Sequence, residues 1–274
     1  MTTALASAIL GFAWSKRPGA QWGLALAGTV LTLVLTFDMM GLGLTRLLGL
    51  ALWEVPLVTD GDFAAELRLR VDLFSMFFHV IFLFVAVLAI LASRGFLKKE
   101  EPHQGEYYAL MLLAVVGMMF TAVATDLVVL FLAFEISSLS TFALVAFRKK
   151  DPQATEAAVK FFIIGAVSSA IILFGISLIY GVTGETDLLV LRTSLTIGAY
   201  AAFEPPLIVA LVFLIAGFGF KVATVPFHMW APDVYHGAPT TVSVFLAAGS
   251  KKVGIVALFK VFLIGLIGDR KSVV

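Results

Sequence analysis

Residues 127–147 read LVVLFLAFEISSLSTFALVAF, twenty-one positions of which only Glu135 carries a charge. About 20 apolar residues rising 1.5 Å each cross the roughly 30 Å hydrocarbon core of a bilayer, so this stretch predicts a membrane-spanning helix. Glu135 stands eight residues inside it, about 12 Å deep, too far for its carboxylate to reach the headgroups. A charge at such depth costs at least ~2.5 kcal/mol and persists for a partner, a water cavity or a transported ion. Ser137, Ser138, Ser140 and Thr141 follow it and offer hydrogen-bond partners to the carboxylate. The alternative is a purely structural hydrogen bond between helices.

The rest of the chain repeats the pattern. Its 274 residues are 61% hydrophobic and 14% charged, with a mean hydropathy of +1.04, more apolar surface than a water-soluble domain buries. The apolar runs are continuous rather than alternating, so the class is all-α, a polytopic transmembrane helical bundle and not a barrel. Eight candidate spans can be counted, at 2–14, 20–37, 71–93, 107–125, 127–147, 157–180, 207–230 and 238–267. The first is short, either a surface stub or the remainder of a longer helix. Residues 39–53, within the mixed stretch 38–70, read as an interfacial segment. Loops 15–17, 94–106 and 148–156 hold Lys16, Arg17, Arg94, Lys98, Lys99, Arg148, Lys149 and Lys150, whereas 38–70 and 181–206 hold Arg46, Arg68, Arg70 and Arg192. The positive-inside rule then directs both termini outward. Nineteen basic and eighteen acidic residues are too balanced for a nucleic-acid footprint. Cysteine is absent, which excludes disulfides and the thiolates that hold iron–sulfur clusters. Residues 1–14 lack the basic start of a cleaved signal peptide.

Five lysines fall inside the expected spans: Lys160, Lys221, Lys251, Lys252 and Lys260. Lys221 lies fourteen residues into 207–230, after glycines at 217 and 219 and five before Pro226. Proline there removes an intrahelical hydrogen bond and breaks the helix, and a charge beside a broken helix recurs in ion pathways. A kinked helix whose lysine pairs with an acid is the plainer alternative. His228 is seven residues on, nearly the same helical face, and imidazole titrates near neutrality, which suits a proton relay. Taken alone it reads as a satisfied interior residue. Lys251 and Lys252 lie 13 and 14 residues into the last span, at a depth level with Glu135. Lys160 beside Glu156, and Lys260 near its helix end, can snorkel to the surface. His79 and Asp126 read as structural, Asp126 at a helix N-terminus. Gly165 and Ser169 form a small-xxx-small packing pair.

Three segments carry a family resemblance: 126–135 (DLVVLFLAFE), 156–162 (EAAVKFF) and 219–239 (GFKVATVPFHMWAPDVYHGAP). The chain resembles the antiporter-like, Mrp-related, proton-pumping membrane subunits of NADH:quinone oxidoreductase, respiratory complex I. Within them it is most similar to the N-type, through the form of 232–239. The resemblance covers the chain from about Leu69 onward. It implies that Glu135, Lys221, His228 and either Lys251 or Lys252 form a hydrated proton pathway, with Lys160 close by. Spacing from Lys221 points to Lys251, and spacing from Ser243 points to Lys252.

The same resemblance implies a non-redox, proton-translocating subunit of an enzyme complex. No cofactor is expected in this chain, while NAD, FMN, iron–sulfur clusters and quinone are expected in partner subunits. The expected partners are other membrane subunits and the lipid bilayer, in a prokaryotic cytoplasmic membrane. Family members have about fourteen helices in two inverted five-helix repeats, so the expected organisation is 1–106 as N-terminal helices and loops, 107–267 as the first repeat, and 268–274 as a tail. A chain that stops there reads as truncated after the eighth helix, lacking the exit half of the pathway. The competing readings are a subunit of a multisubunit monovalent cation/proton antiporter and a truncated structural scaffold.

Overall fold

The computed structural model describes residues 18–42, 68–97, 103–196 and 204–266. Among these the named elements are all helical, and seven helices are long and apolar enough to cross a membrane. They correspond to the expected spans from 20–37 onward. The expected span at 2–14 and most of the segment 38–70 lie outside the described residues.

Local chemistry sets the helix ends. Helix α1 (Pro18–Phe37) continues into a π-helical turn, Asp38–Leu42. Helix α2 (Leu73–Phe96) starts on a capping box, with Asp72 accepting from the Ser75 N–H at 2.8 Å and Ser75 Oγ accepting from the Asp72 N–H at 2.9 Å. Helices α3 (Gln104–Val123) and α4 (Leu127–Val145) are antiparallel neighbours, and Asp126 caps α4 by accepting from the N–H groups of Val128 and Val129. Helix α5 (Pro152–Thr183) opens with Asp151 as N-cap and Pro152 in its first turn, and closes on Gly184 at φ 70°. Its 32 residues extend about 48 Å, well beyond a roughly 30 Å core. Glu156 and Lys160 lie in its first three turns.

The stretch 181–206, where hydropathy places only a loop, contains the short helix α6 (Leu188–Thr196). Asp187 initiates it by accepting from the N–H groups of Leu189 and Val190. Helix α6 lies against the end of the last span, where a Cβ on Gly265 would come 2.6 Å from Leu188.

The span expected at 207–230 is interrupted. Helix α7 (Glu204–Val222) stops one residue after Lys221, and a separate helix, α8 (Trp230–Gly237), follows a turn. The Thr224 N–H bonds the Gly219 carbonyl at 3.0 Å and the Ala223 N–H bonds that of Phe220 at 2.9 Å, with Ala223 at φ 63°. This is a Schellman-type stop with alanine in the left-handed position usually given to glycine. The final span consists of α9 (Thr240–Phe245), a π-helical turn Leu246–Ser250, α10 (Lys251–Phe259) and a π-helical end Lys260–Leu266.

A strap, residues 68–72, runs beside the junction of α3 and α4. Leu69 bridges Ala124, the Arg70 N–H bonds the Val123 carbonyl, and Arg68 reaches Asp126 at 3.4 Å and Asp187 at 3.2 Å. Asp72, at the other end of the strap, faces Lys260 at 3.9 Å. Lys260 is 1% exposed and lies over the Phe74 ring. The expectation that it snorkels is therefore corrected: the helix buries it against α2 instead.

Candidate functional site

Lys221 is 1% exposed at the broken end of α7. Its ammonium donates to Thr141 Oγ1 at 3.0 Å and Ser138 Oγ at 3.2 Å, both on α4. Each of these hydroxyls has its own proton committed to the backbone, Ser138 to the Phe134 carbonyl and Thr141 to that of Ser138. Their lone pairs are thereby turned toward the lysine. The rings of Phe134, Phe142 and Phe161 surround the ammonium at 5.9, 5.5 and 5.6 Å, within cation–π range. Neutral oxygens and ring faces, rather than a carboxylate, hold this buried cation.

Glu135 lies on the same helix, three and six residues before Ser138 and Thr141, or about 5–9 Å along the axis. Its hydrogen bond comes from Ser169 of α5 at 2.7 Å. The serines that follow Glu135 in sequence do not fill that role: Ser138 and Thr141 serve Lys221, and Ser140 bonds the Ile136 carbonyl. Ser169 also lies 3.0 Å from the Gly165 carbonyl. One hydroxyl can thus donate to an ionised Glu135, or accept from a protonated one while giving its own proton to Gly165. The hydrogen bonding is satisfied in both protonation states.

The last span packs directly on the break. A Cβ at Gly254 would come 2.9 Å from the Phe218 carbonyl and 3.1 Å from Lys221 Cβ, so α10 passes within backbone contact of Lys221. Lys251, one turn before Gly254, places its ammonium 5.1 Å from the Tyr235 ring. Lys252 Nζ lies 3.5 Å from the Ala247 carbonyl. Both are half-buried. Among the described residues, the hydroxyls of Ser137, Tyr235 and Ser250 are buried and make no hydrogen bond within the chain.

His228 and Lys160 lie apart from this core. The helix ends before His228, so the shared-face spacing to Lys221 does not apply, and His228 is exposed on the turn between α7 and α8. Lys160 bonds Glu156 at 2.8 Å and Asp233 of α8 at 2.9 Å. His79 is buried with Nε2 3.0 Å from the Met119 carbonyl, in keeping with a structural role.

Residues 124–271 match the family described as NADH:quinone oxidoreductase/Mrp antiporter, transmembrane. This stretch holds the whole Glu135–Lys221–Lys251 assembly. The chain belongs to that family.

Among its curated relatives, F(420)H(2) dehydrogenase subunit N of Methanosarcina mazei is 50% identical over 200 residues, 72% of this chain and 39% of the relative. NADH-quinone oxidoreductase subunit N of Desulfitobacterium hafniense is 41% identical over 244 residues, 88% of this chain and 48% of the relative. The chain spans about half the length of such relatives or less. Among solved structures, a chain of respiratory complex I from Thermus thermophilus superposes with a TM-score of 0.71 at 29% identity, covering 94% of this chain and 52% of that one. An archaeal membrane-bound sulfane sulfur reductase gives 0.77 at 23% identity and shows the fold alone. The family's transmembrane character and the seven spans make this an integral membrane protein.

Sequence reasoning missed Ser169 as the partner of Glu135, Asp233 as the partner of Lys160, and Trp230. The small pair Gly165 and Ser169 was the available signal. Gly165 receives the Phe142 ring, with a Cβ there 2.3 Å from Phe142 Cζ, and brings α5 close enough for Ser169 to reach α4.

Proposed function

We propose that this chain is a membrane subunit of a respiratory complex of the NADH:quinone oxidoreductase type, carrying part of the route by which protons cross the membrane while electrons move in other subunits. The observation that carries this reading is the fully buried Lys221, held by two oriented hydroxyls at the end of a broken helix and one to two turns from Glu135. An ionisable pair inside a membrane bundle is costly unless used. The names of the relatives, subunit N of two oxidoreductases, support the same reading.

In this scheme Glu135 and Lys221 exchange charge states through the α4 hydroxyls, with Ser169 satisfying Glu135 in either state. Lys251 is the next station, rather than Lys252, because it lies on the Gly254 face that packs against Lys221. The buried hydroxyls of Ser137, Tyr235 and Ser250 are suited to hold internal water between the stations. His228, on the exposed turn, would belong to the mouth of the route. The basic loops at 94–106 and 148–156 would face the cytoplasm. Redox groups would reside in partner subunits, in keeping with a chain that offers no cysteine thiolate for an iron–sulfur cluster.

The test is Lys221→Ala and Glu135→Gln in the assembled complex, reconstituted in vesicles with a pH-sensitive dye. The proton-to-electron ratio should fall while uncoupled electron transfer continues. An unchanged ratio in both variants would refute the role. Cation-driven proton movement without any electron donor would instead favour a cation/proton antiporter, the other activity in the family's description.

A further inference from the structure

Helix α8 is docked on α5 by three contacts that share neighbouring residues. On the exposed side, Lys160 and Asp233 pair at 2.9 Å, their side chains 44% and 47% exposed. On the buried side, Phe161, the next residue of α5, stacks on Trp230 of α8, with centroids 4.5 Å apart and planes at 24°. At the far end of α8, a Cβ on Gly237 would come 2.7 Å from the Gln153 carbonyl and 2.7 Å from Ala157 Cβ, which holds the two backbones together. Trp230 and Asp233 are three residues apart, hence on one face of α8. The ion pair and the aromatic stack are therefore two sides of a single contact.

Trp230 also reaches back across the break. Its indole N–H donates to the Phe220 carbonyl at 2.9 Å, the same oxygen that accepts the Ala223 N–H where α7 stops. Phe220 immediately precedes Lys221, and the Phe161 ring that stacks on Trp230 is one of the three facing the Lys221 ammonium. Two short connections thus run from the exposed pair to the buried lysine, one through the Trp230 N–H and one through the Phe161 ring.

We propose that Trp230 is a positioning residue for Lys221, and that the exposed Lys160–Asp233 pair sets where Trp230 stands. The proposal rests on the reading of Lys221 as a proton-exchanging group and gives Lys160 a defined job: it places the lysine from outside instead of relaying the proton itself. Among the described residues Glu135 on α4 is the charged group that acts on Lys221 directly; Lys251 on α10 faces the Tyr235 ring, and the Lys160 and Asp233 pair joins α5 to α8. Only the last pair is exposed and can be altered without touching the core.

The test uses the assembled complex in vesicles and compares Trp230→Phe, Asp233→Asn and the double variant. Trp230→Phe keeps a ring over Phe161 and deletes the N–H donor. It should lower proton pumping about threefold to tenfold, as loss of one buried hydrogen bond allows, and displace the pH profile of pumping, while uncoupled electron transfer stays at the parent rate. Asp233→Asn should displace the profile in the same direction by a smaller amount. The double variant should be no worse than Trp230→Phe alone, because both act on one contact. Additive effects, or a parental pH profile in Trp230→Phe, would overturn the proposal. If Trp230→Phe fails to assemble, Asp233→Asn decides alone: a displaced profile supports the linkage and a parental one refutes it. Lys221→Ala separates the two levels, since intact pumping there sinks the function itself, whereas lost pumping there with normal Trp230→Phe sinks only the positioning role.

Discussion

The closest backbone approach among the spans that hold the site lies at Gly117, and replacing it with alanine tests the architecture directly. A Cβ at Gly117 would come 2.5 Å from the Ser137 backbone nitrogen, 2.8 Å from the Ala133 carbonyl oxygen and 3.0 Å from Ser137 Cα. All three are backbone atoms of α4, so no side-chain rotation relieves the clash. Carbon contacts settle near 3.5–4.0 Å, which requires α3 and α4 to part by about 1 Å. Overpacking of this kind costs ~1–3 kcal/mol, and rigid atoms on both sides put Gly117→Ala near the upper figure. At about 2–4 °C per kcal/mol for a chain of this size, the melting temperature should fall by about 6–12 °C. The same displacement would carry Ser138, already 3.2 Å from the Lys221 ammonium, out of hydrogen-bond range, so pumping should fall as well. Gly23→Ala in α1 is the matched control, with no atom within 4 Å of the added Cβ. It should gain about 1 kcal/mol of helix propensity. Heating the detergent-solubilised protein and following its monodisperse fraction by size exclusion gives both values. A Gly117→Ala protein as heat-stable as the Gly23→Ala control would show that α3 and α4 are not packed backbone to backbone.

Two further outcomes follow from local geometry. Asp126 accepts from Val128 and Val129 N–H groups and from Thr186 Oγ1 at 2.6 Å, and forms an ion pair with Arg68 at 3.4 Å, whereas Asp151 serves its own cap with a bond from the Gln153 N–H on an exposed end. Asp126→Ala should therefore cost about 2–3 kcal/mol and Asp151→Ala about 1 kcal/mol or less, read as the order of their melting temperatures; equal losses would count against the clamp at Arg68. Ala223 sits at φ 63°, where a side chain costs ~1–2 kcal/mol and glycine does not. Ala223→Gly should raise the melting temperature by about 1–4 °C after the added freedom of the unfolded chain is allowed for, and a drop would argue against a left-handed stop at that residue.

Much of the bundle was legible because hydrocarbon leaves a chain few options. Each long apolar run must satisfy its own backbone, so length and composition identify the seven described spans to within a few residues at most ends. The exceptions are the ends set by backbone geometry. Pro226 marked a break near Lys221, yet where α7 stops depends on Ala223 turning left-handed and on Thr224 folding back to Gly219. Hydropathy is blind to both. Helix α6 escaped for a related reason: nine residues with one face against the last span are too short and too mixed to announce themselves.

The sequence by itself determined that the chain lies in a membrane, that Glu135 and Lys221 fall within its apolar helices, and which family it belongs to, because long apolar runs leave few other options and a charge inside one stands out. What it could not determine is who satisfies whom. Glu135 takes its hydrogen bond from Ser169, thirty-four residues away, and Lys221 takes its acceptors from eighty residues or more away, while nearer serines bond their own helix. Lys260, expected to reach for water, is instead buried beside Asp72. Partnership across helices is fixed by which faces meet and how closely. Here that is decided by positions such as Gly117, Gly165 and Gly254, where a missing side chain lets two backbones approach and carries the polar groups into contact.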